Sequence, residues 1–210
     1  MTKIMTPSTE DKTITSGQIG KINDLLAAAL RKSGLPSEPV QSVIETQGST
    51  LTEKLVGMIR HAVEMVASMF SRLVKVNRTR TPQEALDATG RAQYMDRKVV
   101  DAMPKGEGNE VEVVFFKPDL SERNGFISDD DLEKEFELRG LKPADPVSVA
   151  AVNEADPDFA DEKPHSTHWK DAKGNWCFAA FRRWSDGRGV YVNRNDLDWG
   201  DDWWFAGVRK

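Results

Sequence analysis

The chain reads as an α+β protein, an N-terminal helical bundle followed by a mixed domain with a small antiparallel β-meander. Three observations predict this. Apolar residues recur at three- and four-residue steps from residue 16 into the seventies, the period of helices that bury one face. From residue 110 the period changes to β-branched and aromatic runs such as "EVEVVFFK", which suit strands. All six tryptophans fall within the last forty-two residues, and aromatics supply much of the core where apolar volume is limited.

The elements follow in chain order. Residues 1–14 are polar and aperiodic, as in a disordered tail. A first helix is expected over 16–33, with Ser16 as cap, Ile19, Ile22, Leu26, Ala29 and Leu30 on one stripe, and Gly34 as stop. A short second helix carries Val40, Val43 and Ile44 between Ser37 and Gly48. The third starts at Ser49 or Thr50 and runs to about Val76. Leu51, Leu55, Met58, Ile59, Ala62, Met65, Val66, Met69, Phe70 and Leu73 form its apolar face. Three helices joined by short loops make a small bundle. The methionines read as core filler before an adaptable groove.

Thr81, Pro82 and Glu84 then spell a capping box for a short helix to residue 88. Tyr94 to Met103 suits a further helix or turn. The glycine-rich, charged "PKGEGNE" marks the expected boundary between a helical domain, 15–105, and an α+β domain, 106–210. The latter opens with a strand at 110–117, a turn at "SERNG" and an N-capped acidic helix over 129–139. A short helix in "DPVSVAAVNEA" precedes strand signals in "THWK", "WCFAAFRRW", "VYVNR" and "WWFAGVRK", separated by turns.

Composition narrows the function classes. No run of eighteen apolar residues and no signal-like start occur, so a cytoplasmic protein with no membrane partner is expected. Cys177 is the only cysteine, which excludes an internal disulfide or a thiolate metal cluster. Between Trp176 and Phe178 it reads as a buried, inert thiol. Walker loops and nucleophile elbows are missing, and no cofactor is expected. Residues 1–80 hold eleven Lys/Arg and seven Asp/Glu, while 81–210 hold eighteen and twenty-seven, so +4 is followed by −9. Field sign steers association, so the first part can approach nucleic acid and the second repels it.

Several groups are candidates for a site. Arg72, Lys75, Arg78, Arg80 and Arg91 are spaced to meet phosphates, although a solvated helix face paired with the acidic second half accounts for them more simply. His165 and His168, with Asp171 nearby, are weak candidates for a metal site that a hydrolase or nuclease would use. Pro164 and Trp169 point to a loop or strand there, in which residues i and i+3 face opposite sides. Asp196, Asp198, Asp201 and Asp202 fail the calcium-loop register, whose sixth and twelfth positions hold Asp201 and Gly207. Trp203 and Trp204 are strand neighbours and point to opposite faces. One enters the meander core, and the other packs under helices or meets a partner.

Blocks such as "TPQEALDATGR", "DLEKEFELRGLKPADP", "AAVNEADPDFADEKP" and "WWFAGVRK" resemble an uncharacterised group of bacterial proteins, over about residues 76–210. The resemblance implies a recurring module with a helical extension at its front, and it conveys no activity. The functional expectation is a non-catalytic accessory or adaptor protein that binds another macromolecule, most simply a protein, through its helical part. The alternatives are a metal-dependent hydrolase or nuclease on His165, His168 and nearby carboxylates, and a nucleic-acid binder using the arginines of residues 72–98. The long third helix can pack within the bundle or against its twin.

Overall fold

Thr15 begins the first helix with a reciprocal cap. Its Oγ1 accepts from Gln18 N at 3.3 Å, and Gln18 Oε1 accepts from Thr15 N at 2.9 Å. The helix that follows, α1 (Ser16–Lys32), ends on Arg31 and Lys32, cations suited to the carbonyl end of the dipole. In this computed structural model residues 14–185 and 187–210 are described, so the expected tail at 1–14 lies, apart from Ile14, outside the described residues.

One helix then stands where two were expected: α2 spans Ser37–Ala67. Pro39 lies in its first turn, where a missing N–H costs nothing. Gly48 does not break it, since a single glycine inside a helix costs only about 1 kcal/mol. Thr52 Oγ1 donates to Gly48 O at 2.8 Å, and Gln41 bonds Glu45 at 2.7 Å. The expected continuation to Val76 fails after Ala67. Phe70–Lys75 is a strand, β1, paired antiparallel with β3 (Glu110–Phe116) from Phe70 opposite Phe115 to Lys75 opposite Glu110. Phe70 and Leu73 fit a helical stripe by spacing, but Phe70, Val74 and Val76 are residues that favour a pleated strand. Leu73, counted in the helical face, ends 67% exposed, while Val74 and Val76 are buried.

By contact pattern the chain divides into two units, one through Ile59 and one from Arg60 to Lys210. The first contains α1 and most of α2. The second is α+β. It carries α3 (Pro82–Asp87), β2 (Ala92–Met95), α4 (Arg97–Asp101), β4 (Phe126–Ile127), α5 (Asp129–Leu138) and β5 (Leu141–Pro143). After these come α6 (Pro146–Ala155), α7 (Phe159–Glu162), β6 (His165–Lys170), β7 (Trp176–Trp184), β8 (Gly187–Arg194), β9 (Trp199–Gly200) and β10 (Trp204–Arg209). Residues 70–101, grouped with the helices by the sequence reading, thus supply two strands and two helices to this unit. The "PKGEGNE" stretch joins α4 to β3 inside it.

The main sheet runs β1-β3-β10-β6-β7-β8-β2, with β5 also paired to β10. β6, β7 and β8 are sequential antiparallel neighbours. The last strand does not continue that series. β10 crosses over to lie antiparallel to β3 and parallel to β6. Side chains alternate between two cores, as the pleat requires. Val113, Phe115, Cys177, Ala179, Phe181 and Ala206 pack with α3, α4, α6 and α7 residues such as Leu86, Val100, Val149 and Phe159. Val114, Phe116 and Phe205 pack with Leu132 and Phe136 of α5 and with Trp199. The sheet therefore carries helices on both faces.

Candidate functional site

The sheet sends the two candidate histidines in opposite directions. His165 sits in the first core, its ring 5.1 Å from Phe115, 4.9 Å from Phe159 and 5.6 Å from Phe181. Lys163 O can only accept, so the Nδ1 at 2.8 Å from it carries the proton, and Nε2 accepts from Asn153 Nδ2 at 2.8 Å. Burial pushes the imidazole down from 6.5 to about 3, so it is neutral. His168 lies on the other face, between Trp176 at 4.5 Å and Phe136 at 5.4 Å. Asp171 joins neither. It closes the β6–β7 turn by accepting from Lys173 N at 2.8 Å and Asn175 N at 3.0 Å. The Asn175 amide bond chiefly holds its carboxyl below the usual range. Among the described residues no three His, Cys, Asp or Glu side chains are placed to share a metal ion.

A polar network surrounds His168. Asp129, in the first turn of α5, takes the His168 Nδ1–H at 2.8 Å and the Trp199 Nε1–H at 2.9 Å on one oxygen, and Asn195 Nδ2 at 2.6 Å on the other. Buried Asp129 is thus fully hydrogen-bonded, as a carboxylate in low dielectric must be. The Nε2 of His168 has no hydrogen-bond partner, and Glu133 Oε2 stands 3.9 Å away. The Asp–His pair resembles the orienting half of a catalytic triad. Its ring is 1% exposed, so a substrate cannot reach it without moving α5 or Trp176. From the sequence Asp129 reads only as a dipole-matched acid. Its partners arrive from residues 39 to 70 positions away, a distance no local motif spans.

The basic candidates are mostly spent on the protein itself. Arg78 pairs with Asp145 at 2.7 Å, donates to Ser148 Oγ at 2.8 Å and holds Gly108 O at 2.9 Å. Arg80 forms a two-pronged pair with Glu154 at 2.6 and 3.1 Å. Arg91 is buried against the Pro157 and Arg182 carbonyls at 2.8 and 3.3 Å, and burial lowers its pKa. Arg72 lies over the Phe70 and Phe159 rings. Lys75 is exposed and borders a shallow groove with Asn77 and Glu110. Arg78 lines that groove with Lys75 and a second one with Arg80, while Arg72 and Arg91 are engaged elsewhere by rings and carbonyls.

Trp203 and Trp204 are each half-buried. Trp203 joins the α5-side core, 5.4 Å from Trp199 and beside Arg182 at 5.3 Å. Trp204 joins the opposite core, 5.0 Å from Phe70 and beneath Lys163 Nζ at 4.9 Å. The opposite-face expectation therefore resolves into two packed indoles. Cys177 is buried and its thiol is pushed up by desolvation, so it is a poor nucleophile. Aromatic surface continues along the sheet edge, where Tyr94 stacks on Tyr191 at 4.6 Å and Trp184 lies 4.5 Å from Tyr191.

The first unit differs in kind. No residue of α1 is buried, and no described side chain of α2 is either. Leu25, Leu30, Ile44, Leu51 and Met58 stand more than half exposed, Met58 at 71%. No helix among the described residues is long and apolar enough to cross a membrane. A mixed sheet with helices on both faces, preceded by two unburied amphipathic helices, is the class of architecture the chain presents. Comparison with protein-family models, curated proteins and solved structures finds no match.

Proposed function

We propose that the chain is a non-catalytic adaptor that engages another macromolecule through α1 and α2. The supporting observation is the number of exposed apolar side chains on these helices, Leu25, Leu30, Ile44, Leu51 and Met58 among them. Helices in proteins owe most of their stability to tertiary packing of an apolar face, and large exposed apolar patches mark interaction sites. The rival readings have less to stand on. A hydrolase on His165 and His168 would need both rings at one ion, and a nucleic-acid binder would need Arg78, Arg80 and Arg91 released from their protein partners.

Capture experiments with tagged full-length protein test the reading. A partner retained by the unaltered chain should be lost when Leu51→Glu and Met58→Glu are combined. It should be kept with Leu197→Glu, an exposed position of the second unit. Equal retention by all three proteins would place the binding elsewhere and overturn the proposal.

A further inference from the structure

The width of the apolar surface on α2 says that it suits a packed partner. Ile44, Leu51 and Met58 recur every seven residues, with Leu55 and Ile59 beside them and Val56 beyond. At 100° per residue, Leu51, Leu55, Val56, Met58 and Ile59 sweep an arc of about 160°. An apolar stripe that faces a core is at least about 100° wide. The arc is therefore wide enough to face a packed partner, and α1 of the same chain, which buries none of its side chains, does not cover it.

Charge and length indicate what that partner is. Helix α1 carries Lys21, Arg31 and Lys32 against Asp24, a net +2. Residues 37–52 of α2 carry Glu38 and Glu45 and no Lys or Arg, a net −2. The 17 residues of α1 and the 16 of that half of α2 measure about 26 and 24 Å at 1.5 Å per residue. The chain thus contains both a basic helix and an acidic partner of matching length, left unpaired within one molecule. The exposed apolar side chains from Ile19 to Met58 offer on the order of 1,000 Å² per copy, against about 800 Å² per partner in a stable interface.

We propose that a second copy of this chain covers these helices: the α2 arcs of two copies face each other, and α1 of each lies along the acidic first half of the other's α2. This rests on the adaptor reading, whose surface it shares, and names the occupant. It makes the helical unit an assembly module that presents two copies of the sheet unit together.

Sedimentation equilibrium of the full chain over a wide concentration range is the test. The expected result is a mass of twice 23.5 kDa, falling to the single-chain value when Leu51→Glu and Met58→Glu are combined. All six tryptophans lie in the second unit, so an unchanged near-ultraviolet circular dichroism spectrum shows that the variant keeps its sheet. A single-chain mass at every concentration overturns the proposal, as does a variant whose mass stays doubled. A monomer that still captures a different protein through α1 and α2 overturns the second-copy inference alone. A monomer that captures nothing overturns the adaptor reading with it.

Discussion

His165 and His168, three residues apart on one strand, belong to different cores: the first ring touches Phe115, Phe159 and Phe181, the second lies between Phe136 and Trp176. The alternation of a strand produces this separation. It converts an apparent metal-binding spacing into two structural roles, each with its own signature in solution.

The first signature is a pH dependence of stability. Burial holds His165 near 3 rather than 6.5, so the unfolded chain takes up a proton through pH 6.5 that the folded chain refuses until about 3. Its contribution is fully present above pH 6.5 and is lost as the pH falls through that window, by up to about 1.4 kcal/mol per unit. Depressed carboxylates such as Asp161 add losses of their own only below about pH 4. Urea midpoints between about pH 5 and 6.5 isolate the histidine term. His165→Gln should flatten the slope there, and an unaltered slope would show that another group causes it.

The second signature belongs to Asp129, which serves three donors at once. Asp129→Ala leaves Trp199 Nε1, Asn195 Nδ2 and His168 Nδ1 without their acceptor, and each orphaned buried group costs about 1–3 kcal/mol. Losses of this kind are not additive, so a total of about 3–5 kcal/mol is expected. Asp129→Asn keeps the shape and one acceptor and should lose about half as much. Chemical denaturation of the two variants checks the order; equal losses would show that the charge, which both variants remove, matters more than the hydrogen bonds.

The sequence exposed what is local and hid what is distant. The capping box of α3 reads correctly because Thr81 and Glu84 satisfy each other's amides within three residues, and Ser128 marks α5 by bonding Asp131 N. Strand β3 is legible from its Val–Phe run. The fate of residues 70–75 is not, because the three-residue spacing of Phe70 and Leu73 fits a helical stripe rather than the strand period, and β3, forty residues on, decides the matter by pairing. The same holds for the arginines. Their spacing is visible in the sequence, whereas the carboxylates that engage two of them lie 67 and 74 residues away.

A close backbone approach gives a third test. A β-carbon at Gly106 would stand 1.9 Å from Asp145 Oδ2 and 2.9 Å from Arg78 Nη2. Gly106→Ala must push the loop off the Arg78–Asp145 pair, and about 1–3 kcal/mol of destabilisation follows from such overpacking. Arg78→Ala attacks the same pair and leaves Asp145 without its cation, at a cost of about 3 kcal/mol. If the two act on one interaction, the double variant loses clearly less than their sum. Strict additivity would mean that Gly106 matters for another reason.

Trp203 and Trp204 supply the converse case, neighbours in sequence that do not share a core. Trp203→Ala removes an indole from beside Trp199 and Arg182, and Trp204→Ala removes one from beside Phe70 and Lys163. Each is half-buried, so each should cost about 2–3 kcal/mol, below the range for fully buried aromatics. The sheet lies between the two contact sets, and sites with no shared partners add within about 0.5 kcal/mol. The double variant should therefore lose the sum of the two single losses in denaturant titrations. A coupling above about 1 kcal/mol would show that the two cores communicate through the backbone at the start of β10, and their independence there would be refuted.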